Sequence, residues 1–170
     1  ILGPDGPSLG GFVCPATVAL AEMWKLGQLR PGARLRFERW SVSHAQAQLA
    51  AQDAHMAGAV TALGAFQGDT TSNAPQAGRV SSMADGVVQC LPATEGRPAV
   101  VIRQSGEDNL LAEFGPQELD LALRFQVQAL LEALRQQPLP GQLDLTPGIR
   151  SLQVHFDPRR LPQRQMLARI

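Results

Sequence analysis

The chain has no tyrosine, only two cysteines, and few aromatic residues of any kind (5%). A role that needs a phenolic hydroxyl is therefore excluded. Cys14 and Cys90 stand far apart without metal-ligand spacing or a nearby histidine pattern, so they mark neither a metal site nor a secreted disulfide framework. Both are expected as buried, reduced thiols. Neither sign of charge is in excess: 15 basic residues balance 15 acidic ones, and no overall field draws the chain to nucleic acid or to an anionic membrane. No stretch approaches the roughly 20 apolar residues that a membrane helix needs, and residues 1–18 lack the basic start and apolar core of a signal peptide. A cytoplasmic location follows as the default. An initiator methionine is also missing, and the loop-like opening at Ile1 reads as a start inside a larger protein.

What is present is 44% apolar residues in 170, ample for a packed core. Gly3, Pro4, Gly6 and Pro7 punctuate the opening, and Phe12 to Val18 reads as an edge or bulged strand because Pro15 interrupts it. Ala19 to Leu26 predicts a short helix whose Leu20, Met23 and Trp24 share an apolar face, with Gly27 placed to end it. After a turn at Arg30 to Ala33, the alternation of Arg34, Leu35, Arg36, Phe37 and Glu38 predicts a half-buried strand to Trp40. Ser43 and Gln46 fit a capping box for an alanine-rich helix that runs to Ala57 and ends near Gly58.

From Gly58 to Pro98 the composition is dominated by Gly, Ala, Ser, Thr, Gln and Pro, which predicts a connecting segment with one short strand between Met83 and Leu91. Beyond it, Ala99 to Gln104 and Leu110 to Phe114 flank a turn-forming Ser105 to Asn109, the pattern of a hairpin. Pro116 suits the first position of a helix on which Leu119, Leu123, Val127, Leu130 and Leu134 recur at helical spacing, with Asp120 and Arg124 able to pair on its outer face. Pro138 and Pro140 stop that helix. Gln142 to Thr146 and Arg150 to Phe156 read as two further strands, and Leu161 to Ile170 as the start of a second helix. The fold class is α+β, in three parts: residues 1–57, a linker at 58–98, and a small β-β-α-β-β-α sandwich at 99–170.

Several side chains are candidates for chemistry. Gly6, Gly10 and Gly11 allow close backbone approach to a ligand, and Ser8 adds a hydroxyl suited to an oxyanion; a tight turn before an edge strand explains the same residues. The block is not a phosphate loop, because the Gly-Lys-Ser/Thr ending is absent. Lys25, beside Trp24, can bind a carboxylate or extend into water over the indole. Arg150 follows the Pro147-Gly148 turn, from which a guanidinium can grip a carboxylate in a bidentate way or form a surface ion pair. Ser151 has no nucleophile elbow around it. His44, His55 and His155 do not converge on a ligand pattern, so no metal is expected. Proton transfer by His155 has no partner to indicate it, and Glu107, Asp108, Glu113, Asp144 and Asp157 show no paired acid–base spacing.

Two unlike motif blocks stand in this one polypeptide. Gly6-Pro-Ser-Leu-Gly-Gly-Phe-Val-Cys-Pro-Ala-Thr-Val18, continued by Glu22-Met-Trp-Lys-Leu-Gly-Gln-Leu-Arg-Pro-Gly32, resembles the carboxyltransferase region of biotin-dependent urea carboxylase, which is also the carboxylase part of urea amidolyase. Gly106-Glu-Asp-Asn-Leu-Leu-Ala-Glu-Phe-Gly115, Leu121-Ala-Leu-Arg-Phe-Gln-Val-Gln-Ala-Leu130 and Leu145-Thr-Pro-Gly-Ile-Arg-Ser-Leu-Gln-Val-His-Phe-Asp-Pro158 resemble the segment that follows it in the same family. In related bacterial proteins these regions look like separate subunits, those of 5-oxoprolinase and of a sporulation kinase inhibitor system. Their order and fusion favour urea carboxylase over a 5-oxoprolinase-like protein or a kinase-inhibitor-like binding module. The resemblance implies that residues 1–57 close a cyclophilin-like β-barrel subdomain and that residues 99–170 open an α+β subdomain. It implies transfer of a carboxyl group from carboxybiotin to urea to give allophanate, with Ser8, Gly10, Gly11, Lys25 and Arg150 on the substrate side. Biotin would arrive on a biotin carrier domain, and ATP would act only in a biotin carboxylase domain, both elsewhere in the parent protein. The chain alone is expected to be inactive. Phe114 and Phe156 stand where relatives of this type carry tyrosine, and Ala33 where aspartate is usual.

Overall fold

The computed structural model describes residues 16–62 and 86–170. Ser8, Gly10, Gly11, Cys14, the expected strand up to Pro15 and the start of the Met83 strand lie outside them. Within the described residues, five strands form one antiparallel sheet in the order β1-β2-β3-β5-β4: β1 (Val87–Leu91), β2 (Val100–Gln104), β3 (Asn109–Phe114), β4 (Gln142–Pro147) and β5 (Ser151–Phe156). The helices are α1 (Met23–Leu26), α2 (Val42–Ala62), α3 (Leu121–Gln136) and α4 (Gln163–Leu167), with a 3₁₀ turn at Leu20–Glu22 just before α1. From residue 100 onward the order is β, β, α, β, β, α. The architecture is α+β.

Alternation explains the sheet. Leu110, Ala112 and Phe114 of β3 and Leu152, Val154 and Phe156 of β5 are buried while their neighbours are only half-buried, the period of strands covered on one face. That face packs against α3, whose Leu123, Val127, Leu131 and Leu134 are buried, and Leu161 and Met166 close the core from the α4 side. Asp120 starts α3, its Oδ1 accepting the Ala122 N–H at 2.8 Å. The helix therefore begins after Pro116 and Leu119, and Leu119 is 86% exposed rather than in the core. The expected Asp120–Arg124 pair is replaced by this cap and by an Arg124 bond to Gln128 Oε1 at 3.2 Å. Leu131 takes the buried place expected of Leu130, which packs only partly against the core.

Three other expectations are corrected in the first half. Arg34–Trp40 forms no strand, and Leu35 and Phe37 are exposed: no neighbouring strand among the described residues takes its backbone hydrogen bonds. In the short helical segment the buried residue is Ala21, while Met23 and Trp24 are exposed. Ser41, not Ser43, caps α2 through its Oγ, which accepts the His44 N–H at 3.1 Å, and the helix runs past Gly58. The segment after it contributes β1, an edge strand on whose exposed side Cys90 lies, so this thiol is free but not buried.

Gly115 ends β3 with φ +60°, and a Cβ there would meet Leu123 Cδ2 at 2.7 Å. Both the backbone and the helix packing demand glycine at this turn. Leu131→Ala should lower stability by about 3 kcal/mol, Gly115→Ala by about 2 kcal/mol, and Leu119→Ala by less than about 0.5 kcal/mol, as read by chemical denaturation. A Leu119 effect as large as that of Leu131 would contradict the placement of the helix start.

Candidate functional site

The alternation that sends Leu110, Val154 and their neighbours inward places Arg103, Asn109, Glu113, Gln153 and His155 together on the other face of the sheet. Glu113 is the centre of one group. Its Oε1 accepts from Arg150 Nη2 at 2.8 Å and its Oε2 from Arg103 Nε at 2.7 Å. Arg150 Nη1 also donates to the Gly115 carbonyl at 3.3 Å, while the Arg150 carbonyl accepts from Phe114 N–H at 2.8 Å. The guanidinium expected on a turn is thus fixed from both its backbone and its side chain. Beside it lies an open depression of about 240 Å³ lined by Gln117, Glu118, Leu119, Ile149 and Arg150.

The second group follows the β3–β5 register. Gln153 Nε2 donates to Asn109 Oδ1 at 3.0 Å, Asn109 Nδ2 donates to Asp108 Oδ1 at 2.7 Å, and His155 Nε2 lies 3.3 Å from Asp108 Oδ2. Asp144 is the cross-strand neighbour of His155 on β4. The Asp108 carboxylate thus stands at ion-pair distance from the imidazole. Sequence reading missed both Asp108 beside His155 and Glu113 beneath Arg150. The pairings follow from the register between β3 and β5, distant in the chain, in which Asn109 pairs with His155 and Glu113 with Ser151, next to Arg150.

Lys25 is exposed. Its Nζ lies 2.5 Å from Glu22 Oε2 and 5.8 Å from the centroid of the Trp24 ring. Its side chain makes no hydrogen bond or ion pair with the sheet, so the structure joins Arg150 to the polar face and leaves Lys25 on a separate segment. Among the described residues no group of His, Cys, Asp and Glu is placed to hold a metal ion, and no helix is long and apolar enough to cross a membrane.

Known proteins place this face in context. Residues 100–170 match the family model described as carboxyltransferase domain, subdomain C and D, and residues 1–39 match that of carboxyltransferase domain, subdomain A and B. The chain belongs to the carboxyltransferase domains, with sequence of both subdomain pairs in one polypeptide. Within that class its relatives are of the urea amidolyase and urea carboxylase type. Urea amidolyase of Saccharomyces cerevisiae is 29% identical over 168 residues, and that of Lachancea kluyveri 32% identical over 170; each alignment covers 98% of this chain and 9% of the relative. The crystal structure of K. lactis urea amidolyase superposes with a TM-score of 0.68 at 30% identity, covering 96% of this chain and 10% of that one. Kluyveromyces lactis urea carboxylase gives a TM-score of 0.65 at 27% identity, over 93% of this chain and 14% of that one. The similarity is nearly continuous along this chain, which spans about a tenth of the length of these relatives.

The Glu113 pairs can be weighed by exposure. The Arg150 and Glu113 side chains are 21% and 19% exposed, whereas Arg103 is 40% exposed, so water screens the Arg103 pair more. Double-mutant cycles should give a coupling of about 1 kcal/mol for Glu113–Arg150 and a smaller one for Glu113–Arg103. The reverse order would contradict the assignment of Arg150 as the fixed partner.

Proposed function

We propose that this chain is the junction of a biotin-dependent urea carboxylase carboxyltransferase domain, a piece of the machinery that moves a carboxyl group from carboxybiotin to urea to give allophanate. The observation that carries the reading is the match to both carboxyltransferase subdomain pairs, in the urea amidolyase order, within one chain. In this reading residues 1–57 close a cyclophilin-like subdomain, residues 58–98 connect, and residues 99–170 open the second α+β subdomain. The biotin carrier and biotin carboxylase activities belong to other parts of the parent protein, in the cytoplasm.

Ser8, Gly10, Gly11, Lys25 and Arg150 are the substrate-side groups of this proposal. The described residues alone do not fit the whole cofactor: the depression beside Arg150 is open, and its guanidinium is already shared by Glu113 and the Gly115 carbonyl. A carboxylate that reaches Arg150 must compete with Glu113. No step of the transfer is therefore assigned to these side chains; Arg150 holds one wall of the depression, and His155 with Asp108 offers a base on the same face of the sheet.

The test is carboxybiotin-dependent carboxylation of urea, measured for the chain alone and for the chain joined to its natural flanking sequence. Turnover is expected only in the joined form, and Arg150→Lys there should lower it by about 10- to 100-fold through misplacement of the wall. Absence of urea turnover in a folded joined form would overturn the reading.

A further inference from the structure

The segment after Pro15 crosses the β2–β3 loop. Glu107, at the tip of that loop, is the one buried charged or polar side chain among the described residues, at 6% exposure. Its Oε1 accepts the Leu20 N–H at 2.6 Å, and its Oε2 is buried without a partner among the described residues. Gly106, with φ +82°, lets Thr17 sit directly above: a Cβ on Gly106 would lie 3.2 Å from Thr17 Oγ1. From beneath, Gln104 Nε2 donates to the Gly106 carbonyl, and Gln163 Nε2 donates to Gln104 Oε1 at 2.5 Å. The loop is braced by the sheet and clasped by residues 17–20.

A carboxylate is an odd choice for this place. Glutamine would accept the same N–H without the cost of burying a charge, and a buried carboxyl with one hydrogen bond is under-satisfied. The groups around it make the contact conditional. Asp108 is its neighbour on the loop and repels it, Arg159 from the turn after β5 attracts it, and each of these is engaged elsewhere: Asp108 with His155, and Arg159 with Asp53 of α2 in a two-pronged pair at 2.5 and 3.1 Å. Asp108 and Arg159 are thus the charged groups that act on Glu107.

We propose that Glu107 is a positioning residue: through the Leu20 N–H it seats residues 16–26, and with them the helix that carries Trp24 and Lys25, on the β2–β3 loop, and ionisation of its carboxyl loosens that seat. The seating joins the stretch that matches subdomains A and B to the stretch that matches subdomains C and D. Only the importance of Lys25 rests on the proposed function; the latch itself rests on geometry.

Burial pushes the Glu107 carboxyl above the ordinary carboxylate range, the Leu20 N–H pulls it back, Asp108 adds to the rise and Arg159 opposes it. The sign is then fixed. A carboxyl whose folded value is raised stabilises the seated state fully below its unfolded value and loses that contribution as pH rises through the folded value. Seating is tightest below the ordinary carboxylate range and loosens as pH rises through the raised value.

Amide exchange of the isotopically labelled full chain, followed by NMR from about pH 3.5 to 8 and corrected for intrinsic rates, tests this. Leu20 should be protected, with protection falling by about tenfold for each unit by which the Glu107 carboxyl is raised. Glu107→Gln should keep the protection and abolish its pH dependence. Glu107→Ala should lose it at every pH and shift the Trp24 indole signal, while amides of β3 and β5 stay protected. Leu20 exchange that is equally fast in the unaltered chain and in Glu107→Ala, or an unchanged pH profile in Glu107→Gln, would overturn the latch. If Glu107→Ala does not fold, the Glu107→Gln profile alone decides. Failure of urea carboxylation with this exchange pattern intact would remove the proposed function and leave the latch standing.

Discussion

The packing of one helix, α3, on one face of one sheet is the constraint on which the rest of the described structure depends. Val127, Leu131 and Leu134 meet a surface built by Ile102, Leu110, Leu152, Val154 and Phe156, all nearly without solvent contact. Each such side chain contributes about 1.5–3 kcal/mol by leaving water, and no other pair of elements among the described residues buries a comparable set. The order β1-β2-β3-β5-β4 follows from this arrangement. The hairpin β2–β3 and the hairpin β4–β5 are local, and α3 carries the chain from the first to the second, so that β3 and β5 become neighbours under the helix. Because a strand presents alternate side chains to opposite faces, committing one face to α3 leaves the other for polar groups.

That division explains why the charged pairs lie where they do. Glu113 stands between two guanidiniums, and Arg150 reaches it from the turn between β4 and β5, a turn already tied to β3 by the Phe114 N–H and Arg150 carbonyl. Removing one arginine leaves Glu113 a partner; removing Glu113 leaves two cations side by side. The carboxylate is therefore the less replaceable member. The same logic applies along the strands, where Asp108 is held by Asn109 and in turn holds His155.

How much of this was legible in the sequence follows from which interactions are local. The β2–β3 hairpin, the body of α3, β4 and β5 were readable because period and turn residues lie within a few positions of one another. The helix start was misplaced because Pro116 and Asp120 are both good first-turn residues, and the Asp120 cap prevails. Arg34–Trp40 carries the alternation of a strand, yet alternation describes a surface to be covered and supplies no partner for the backbone. Arg150 was legible as a positioned arginine, whereas Glu113 and Asp108 were not legible as its counterpart and that of His155. Those pairs depend on the β3–β5 register, which no local pattern states. Ser8, Gly10 and Gly11 lie outside the described residues, and Lys25 was read correctly as close to Trp24.

The stretch between residues 39 and 100 matches neither family model, yet it is no mere spacer. Its β1 extends the sheet beside β2, and its α2 reaches the turn after β5 through Asp53 and Arg159. Among the described residues, a buried carboxyl on a backbone N–H and an exposed bidentate ion pair tie the first part of the chain to the second, while Ala21, Ala45 and Leu49 are buried within the first part, where the 3₁₀ turn meets α2. A seam of this kind differs from the core under α3. Ionisable groups make the attachment depend on charge, as at interfaces between domains that move. The core under α3, which holds the fold that carries Arg150 and His155, is built without residues of the first stretch among those described.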